Sequence, residues 1–418
     1  MKLLIVSFYF PPAGGGGVQR ILKFAAHLAN EGIDVHVLAP TDPNWIHRDE
    51  HLVVPAGVTV HRARYLGPRG RRPAEELYGL RNSKRLRRRL SLMPRRLLIP
   101  DENASWVLTA VPAALRIARR ERFDAILTTS PPSSVNVIGS LLSRRLGVPW
   151  IADMRDSIVA KEDRRVDRAL ARLKERTHRY VAALVAQDAA AVVGVTPTIC
   201  AEIERLQPRG KVVTIPNGCD FDDFDALAHK PSDRFRITHT GSFFGQRSPR
   251  PFLTALAESK LDVVARFVGD FRAADREWAE KLELGDKLEL YPFLPHRRAL
   301  ELQRDSEALL LLLPEIGERG KDIPSGKLYE YIAAQRPILG AVPPDGTAAE
   351  LIREGELGLV VAPDDVGAMR AGLETLVKRW QQGELHDTVL PDRLRAGLSR
   401  HTRARELAEL LNDVVRRP

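Results

Sequence analysis

The chain has 418 residues, 44% of them hydrophobic and 28% charged, with a formal net charge of +10. Single hydrophobic cores stop growing near about 250–300 residues, so this length predicts two large domains, and the composition excludes disorder as the main state. Cys200 and Cys219 are its two cysteines, too few for a secreted disulfide framework or a four-ligand zinc site, which favours a reducing, cytoplasmic setting.

The apolar opening predicts a buried strand over Leu3–Phe8. The double proline behind it, without a small-residue cleavage pattern, sets it apart from a signal peptide. A glycine run, Gly14-Gly15-Gly16-Gly17, leads into a helix over Val18–Asn30, where Ile21, Leu22, Ala25 and Leu28 share one face and Gly32 marks the end. Strands are predicted at Val35–Leu38, Val58–Val60, Ala125–Thr129, Trp150–Ala152 and Ala191–Val195, with a long helical stretch over Val166–Ala190. Such alternation implies a parallel sheet with helices on both faces. The turn-rich text over Val213–Phe224 reads as the join between domains. The rhythm then restarts, with strands at Phe235–Thr240, Ala265–Val268, Leu288–Tyr291, Ala308–Leu313, Ile338–Ala341 and Gly358–Val361. The expected architecture is α/β: two Rossmann-like doubly wound domains, 1–216 and 217–390, facing a central cleft, with a C-terminal helix over 391–418 packing back toward the first. The most apolar run, Ala308–Pro314, falls short of the 18 or more residues of a membrane span.

Much of the positive charge lies between Arg62 and Arg96, with Arg87-Arg88-Arg89 and Arg95-Arg96 among its clusters. Three readings fit: a solvated face, a nucleic-acid patch, or an anionic membrane patch. Of the functional two the membrane is favoured, because leucines interleave with the arginines while aromatics for base stacking are scarce. That would make the protein peripheral on the inner membrane face. No nucleic-acid-binding module is recognisable.

Two segments carry chemistry. Gly14 to Gly17 follow a strand and open a helix, so their N–H groups and the helix dipole face outward without side chains in the way; the loop is either merely flexible or touches a phosphate or sugar. The second segment runs from Asp322 to Ala334 and enters a helix at Ser325. Its first-turn N–H groups with Lys327 suit a diphosphate. Glu330, further along, is either an exposed surface acid or a carboxylate accepting hydrogen bonds from two vicinal hydroxyls. Asp153 ends a first-domain strand; it either orients a substrate hydroxyl or pairs with Arg155 or another arginine. No cluster shows divalent-metal spacing.

The Ile-Pro-Asn-Gly-Cys-Asp linker at Ile215–Asp220, Thr240-Gly241, and Lys327 to Ala334 followed by Arg336-Pro337-Ile338 resemble the retaining glycosyltransferases of family 4, which have the GT-B fold. Pro11 to Gly15 and Asp153-Met154-Arg155-Asp156 agree with bacterial members. The resemblance implies a transferase that moves a sugar from a nucleoside-diphosphate sugar to an acceptor hydroxyl, on a glycan, a lipid-linked or cell-envelope acceptor or a small molecule, without cofactor or metal. It makes Glu330 the second acid of the family's Glu-x7-Glu motif, holding the donor ribose. Asp322 stands where the first glutamate belongs and is one methylene shorter. Ser242 replaces a common arginine after Gly241, which makes Arg247 the main phosphate cation, helped by Lys327 and by the N–H groups of Ser325 and Gly326; Leu328 lies in the same donor-binding block. Retention in the family is attributed to front-face attack in which the leaving phosphate takes the acceptor's proton, so no enzymic base is required. Two alternatives share the fold: an epimerase or phosphorylase, the latter lacking a second phosphate site here, and a catalytically degenerate protein serving as a membrane or partner module, suggested by Ser242 and Asp322.

Overall fold

The computed structural model describes residues 1–43, 47–67, 98–158, 169–243, 246–315, 321–322 and 324–416. They divide into two compact units: residues up to 217 together with 401–416, and residues 218–400. Of the arginine-rich Arg62–Arg96 segment, residues 68–96 lie outside the described set.

The first unit runs β1 (Lys2–Ser7), α1 (Gly16–Asn30), β2 (Asp34–Pro40), β3 (Val58–Ala63), α2 (Val107–Ala118), β4 (Ala125–Ser130), α3 (Ser134–Leu146), β5 (Trp150–Met154), α4 (Ala169–Asp188), β6 (Ala191–Gly194), α5 (Pro197–Glu204) and β7 (Lys211–Thr214). Its seven strands lie in the order β3-β2-β1-β4-β5-β6-β7, every pairing parallel. Parallel neighbours need crossovers, and the helices supply them on both faces. Ile5 pairs with Val37 and Leu127. It belongs to the layer in which Val18, Ile21, Phe24 and Leu28 of α1 meet Leu407 and Leu411 of the C-terminal helix. Leu4 and Val6 point the other way, into a layer with Trp106, Ile138, Trp150 and Val185. Each such aliphatic side chain stabilises the fold by about 1.5–3 kcal/mol on burial.

The second unit runs β8 (Phe235–Thr240), α6 (Arg250–Glu258), β9 (Val263–Val268), α7 (Ala273–Glu280), β10 (Leu288–Tyr291), α8 (His296–Arg304), β11 (Ala308–Leu312), α9 (Gly326–Ala333), β12 (Ile338–Ala341), α10 (Thr347–Glu354), β13 (Gly358–Val361), α11 (Val366–Gln381) and α12 (Asp392–Leu398). Six strands form a second sheet in the order β10-β9-β8-β11-β12-β13. The leucine run of β11 sits at its centre. Leu309 and Leu311 enter the layer under α9, Leu310 and Leu312 the layer under α6 and α11, so both faces are buried as in parallel sheets generally. In each sheet the strand order reverses beside the unit's first strand, β1 or β8, and the carboxyl ends there are where open α/β sheets bind ligands.

Two expectations change. Lys211–Thr214 is an edge strand that the turn-rich text of the join concealed: four residues directly before Ile-Pro give no period of their own. The expected single C-terminal helix is two, broken at Ser399, with α12 in the second unit and α13 (Arg400–Arg416) passing into the first. Gly218 of the linker is a glycine of necessity, because a Cβ there would stand 2.7 Å from the Arg400 Cα. Among the described residues no helix is long and apolar enough to cross a membrane.

Candidate active site

In the second unit the chain leaves β8 through Thr240-Gly241-Ser242, at the reversal of strand order. Gly241 has φ +107°, and a Cβ on it would lie 2.3 Å from Lys327 Cε and 2.7 Å from Nζ. A neighbouring glycine at the end of β9, Gly269, has φ +127°, and its Cβ would stand 2.8 Å from the Gly241 carbonyl carbon. These are positions where only a residue without a side chain lets two backbones and a lysine share one space. Lys327 comes from the first turn of α9, whose N-cap, Ser325, accepts the Lys327 N–H at 3.4 Å.

The Lys327 amine lies 3.2 Å from Nε2 of His239, a residue of β8. Nδ1 of the same ring is 2.9 Å from the Leu310 carbonyl. A carbonyl only accepts, so Nδ1 carries the proton and Nε2 is left as the acceptor for the amine. Burial, then the charges of Lys327 and Arg247, keep the His239 ring neutral, far below its ordinary range. Burial, with Arg247 adding repulsion and Glu330 pulling the other way, pushes the Lys327 amine down to about 7. Arg247, in the loop after β8, is partly buried, and among the described residues its guanidinium meets no carboxylate. Neither does Lys327. Two basic side chains that no described carboxylate contacts thus stand beside a helix N-terminus.

Glu330, one turn along α9, faces α8. His296 Nε2 lies 3.2 Å from one carboxylate oxygen and Gln303 Nε2 donates to the other at 3.1 Å. Burial raises the Glu330 pKa, but the hydrogen bond and charge of His296, then Gln303 and Arg400, outweigh it and hold the group below its usual value. Fully buried Gln303 also donates to Thr240 Oγ1 at 3.0 Å, and the Thr240 N–H donates to Tyr331 Oη at 2.8 Å. The carboxylate, 28% exposed, keeps lone pairs for a ligand.

In the first unit α1 begins at Gly16 with no side-chain cap, and the Val18 N–H of its first turn donates to the Gly15 carbonyl at 3.1 Å. The Gly14 N–H is taken by the His47 carbonyl at 3.0 Å, and the Arg155 guanidinium donates to the Gly17 carbonyl.

The model of the glycosyl transferase 4-like domain matches residues 15–218. Among solved structures the fold is similar over 99% of this chain to sucrose-phosphate synthase from Thermosynechococcus elongatus (15% identity, 98% of that chain, TM-score 0.67). It is similar over the same share to HepE of Anabaena, solved with UDP and glucose (15% identity, 100% of that chain, TM-score 0.63). The α,α-trehalose 6-phosphate synthase of Burkholderia multivorans is a third (15% identity, 99% of each chain, TM-score 0.62). Residues 15–218 thus form a glycosyl transferase 4-like domain, and the chain as a whole has the GT-B fold. No curated protein matches it in sequence.

Within this fold, Lys327, Glu330, Ser325, Gly326, Gly241 and Arg247 come together in the second unit, while Gly14 to Gly17 stand in the first. Three expected site residues are spoken for elsewhere. Asp153 is 1% exposed at its side chain and takes the guanidinium of Arg20 at 2.8 Å and 3.1 Å, with Thr129 Oγ1 donating at 2.8 Å. It therefore presents nothing to a substrate, and Arg20 is the arginine it pairs with. Leu328 is fully buried under β11 and its N–H donates to the Ser325 carbonyl, so its side chain packs the core. Ser242 turns inward and accepts the Asp270 N–H at 2.9 Å, tying the ends of β8 and β9. Asp322 is partly buried, and hydrogen bonds at Glu330 and Lys327 run to His296, Gln303 and His239. His239, His296 and Gln303 escaped sequence reasoning. The available signal was His239 itself, a polar ring in a strand that is buried throughout.

Proposed function

We propose that the enzyme moves a sugar from a nucleoside-diphosphate sugar to an acceptor hydroxyl with retention at the anomeric carbon, the second unit holding the donor and the first receiving the acceptor. The observation that carries this reading is the pair of basic side chains, Lys327 and Arg247, which no carboxylate among the described residues contacts, beside the N-terminus of α9. Cations and helix N–H groups aimed at the diphosphate stabilise the charge that grows on it as the glycosidic bond breaks. Glu330, held ionised by His296 and Gln303, accepts the two ribose hydroxyls. The anomeric carbon becomes oxocarbenium-like, the acceptor oxygen attacks from the face the phosphate is leaving, and a phosphate oxygen takes the acceptor's proton, so no side chain is needed as a base. Because Lys327 and Arg247 do the neutralising, we propose that no metal is required. The Anabaena structures with UDP and UDP-glucose support a nucleotide sugar of that class.

Calorimetric titration of UDP and UDP-sugars with and without EDTA tests the site, and the anomeric configuration of the product tests retention. Binding abolished by EDTA would refute the metal-free site; an inverted product would refute front-face attack. The basic and leucine-rich composition of Arg62–Arg96, mostly outside the described residues, supports a lipid-linked or membrane-proximal acceptor. Equal flotation with neutral and anionic liposomes at low salt would remove that part of the reading.

A further inference from the structure

Lys327 reaches the donor site from α9, yet its contacts come from the sheet. The amine crosses Gly241, which has no side chain to obstruct it, and ends 3.2 Å from the buried Nε2 of His239. That ring cannot swing away: Nδ1 is held by the Leu310 carbonyl at 2.9 Å, and Phe243 stacks on it with centroids 4.9 Å apart and planes 17° from parallel. Among the described residues the charged and titratable groups around the pair are Arg247, from the loop after β8, and Glu330 and Tyr331, from α9 itself. Glu330 is already engaged by His296 and Gln303. Among the described residues no carboxylate contacts the Lys327 amine, and Glu330 acts on it only through its charge.

We propose that His239 is a positioning residue for Lys327, accepting the amine's hydrogen bond from behind the site and holding it across Gly241, and that the amine takes a proton from solvent as the donor diphosphate binds. The inference rests on the nucleotide-sugar reading and adds a proton to it. The physical cause is the change of surroundings: before binding, the amine faces Arg247 in a partly buried site, where its charged form is disfavoured; afterwards it faces a diphosphate, which favours it. The proton goes to Nζ, because Nε2 of His239 is the acceptor in that hydrogen bond and a second charge behind Lys327 is excluded.

The test is calorimetric titration of UDP-, GDP- and ADP-glucose, whose diphosphates hold no titrating proton near neutral pH, in two buffers of different ionisation enthalpy. With the free amine near 7, binding at pH 8 takes up roughly 0.9 proton and binding at pH 6 roughly 0.1. Lys327→Arg, which cannot lose its charge, binds with no uptake at either pH. His239→Phe weakens binding at pH 8 by about tenfold or more and moves the pH midpoint of uptake, while His239→Gln, which restores an acceptor, recovers both. Should His239→Phe fail to fold, the Lys327→Arg comparison decides alone. Equal heats in both buffers at pH 8 for the wild-type protein would overturn the inference while leaving the donor site standing. A complete absence of binding by all three nucleotide sugars would overturn the donor reading and this one with it.

Discussion

The two units place charged side chains at corresponding ends of similar sheets and treat them in opposite ways. In the first, Arg20 and Asp153 are 2% and 1% exposed, joined through both carboxylate oxygens, and Arg20 spends its remaining donors on the carbonyls of Ile215 and Pro216. In the second, Lys327 and Arg247 are partly buried, and among the described residues no carboxylate contacts either. A saturated buried pair orders the chain, here the strand leading to the linker, and offers nothing to a ligand. A pair of basic groups that no carboxylate contacts is complete only when an anion arrives.

The largest effect is expected where saturation is broken. Asp153→Ala leaves the Arg20 guanidinium buried and unpaired, which costs about 3–5 kcal/mol. Denaturant unfolding followed through Trp106 and Trp150 of the first unit reads it directly. If Asp153→Ala unfolds at the wild-type midpoint and instead stops transfer, the contrast between the units collapses. The next effect belongs to the open side. Arg247→Ala is expected to lower kcat by about a hundredfold, the scale of losing one preorganised donor to developing charge, with the melting temperature nearly unchanged. Transfer at the wild-type kcat would leave the diphosphate to Lys327 and α9 alone.

Much of the fold was legible because strands such as Leu3–Phe8 and Ala308–Leu313 carry their apolar runs locally, and the glycine, proline and asparagine of Ile215–Asp220 announce a turn wherever they occur. Lys211–Thr214 was not legible, since four residues against a turn-rich linker have no room for a period. For the site, Ser325 and Lys327 reveal a helix start by themselves. The fate of Asp153 could not be read, because the arginine that takes it is 133 residues away in the chain. His239 was hidden for the same reason: its partner Lys327 is 88 residues off. Sequence shows which charges reach the strand ends, and only the assembled sheet shows which of them are already paired.

Glu330 sharpens the comparison at intermediate scale, being an acid close to Lys327 yet held by neighbours of its own, His296 and Gln303. If it grips ribose hydroxyls in ground and transition states alike, Glu330→Ala removes uniform binding and chiefly raises the donor KM, by about tenfold to somewhat over a hundredfold, as for hydrogen bonds worth about 1.5–3 kcal/mol. A drop confined to kcat would assign Glu330 to the reacting centre instead.

The smallest effect separates the units through pH. In the unfolded chain the Lys327 amine has its ordinary pKa of 10.5, and in the folded, ligand-free protein burial lowers it to about 7. Between these values the unfolded state binds more protons, so the stability of the second unit rises with pH, by at most about 1.4 kcal/mol per pH unit and by less because solvent partly reaches the amine. His239, whose folded pKa is also lowered, acts in a lower window and in the same direction: its contribution is complete above about 6.5 and is lost as pH falls. Melting curves from pH 7 to 9 therefore report Lys327 and not His239. Wild-type protein is expected to gain stability over this range relative to Lys327→Met, and a bound nucleotide sugar, by restoring the proton, is expected to flatten the difference. If the two curves stay parallel without ligand, the amine is charged in the free protein, and the second unit must then hold an anion beside Lys327, as the first holds Asp153 beside Arg20.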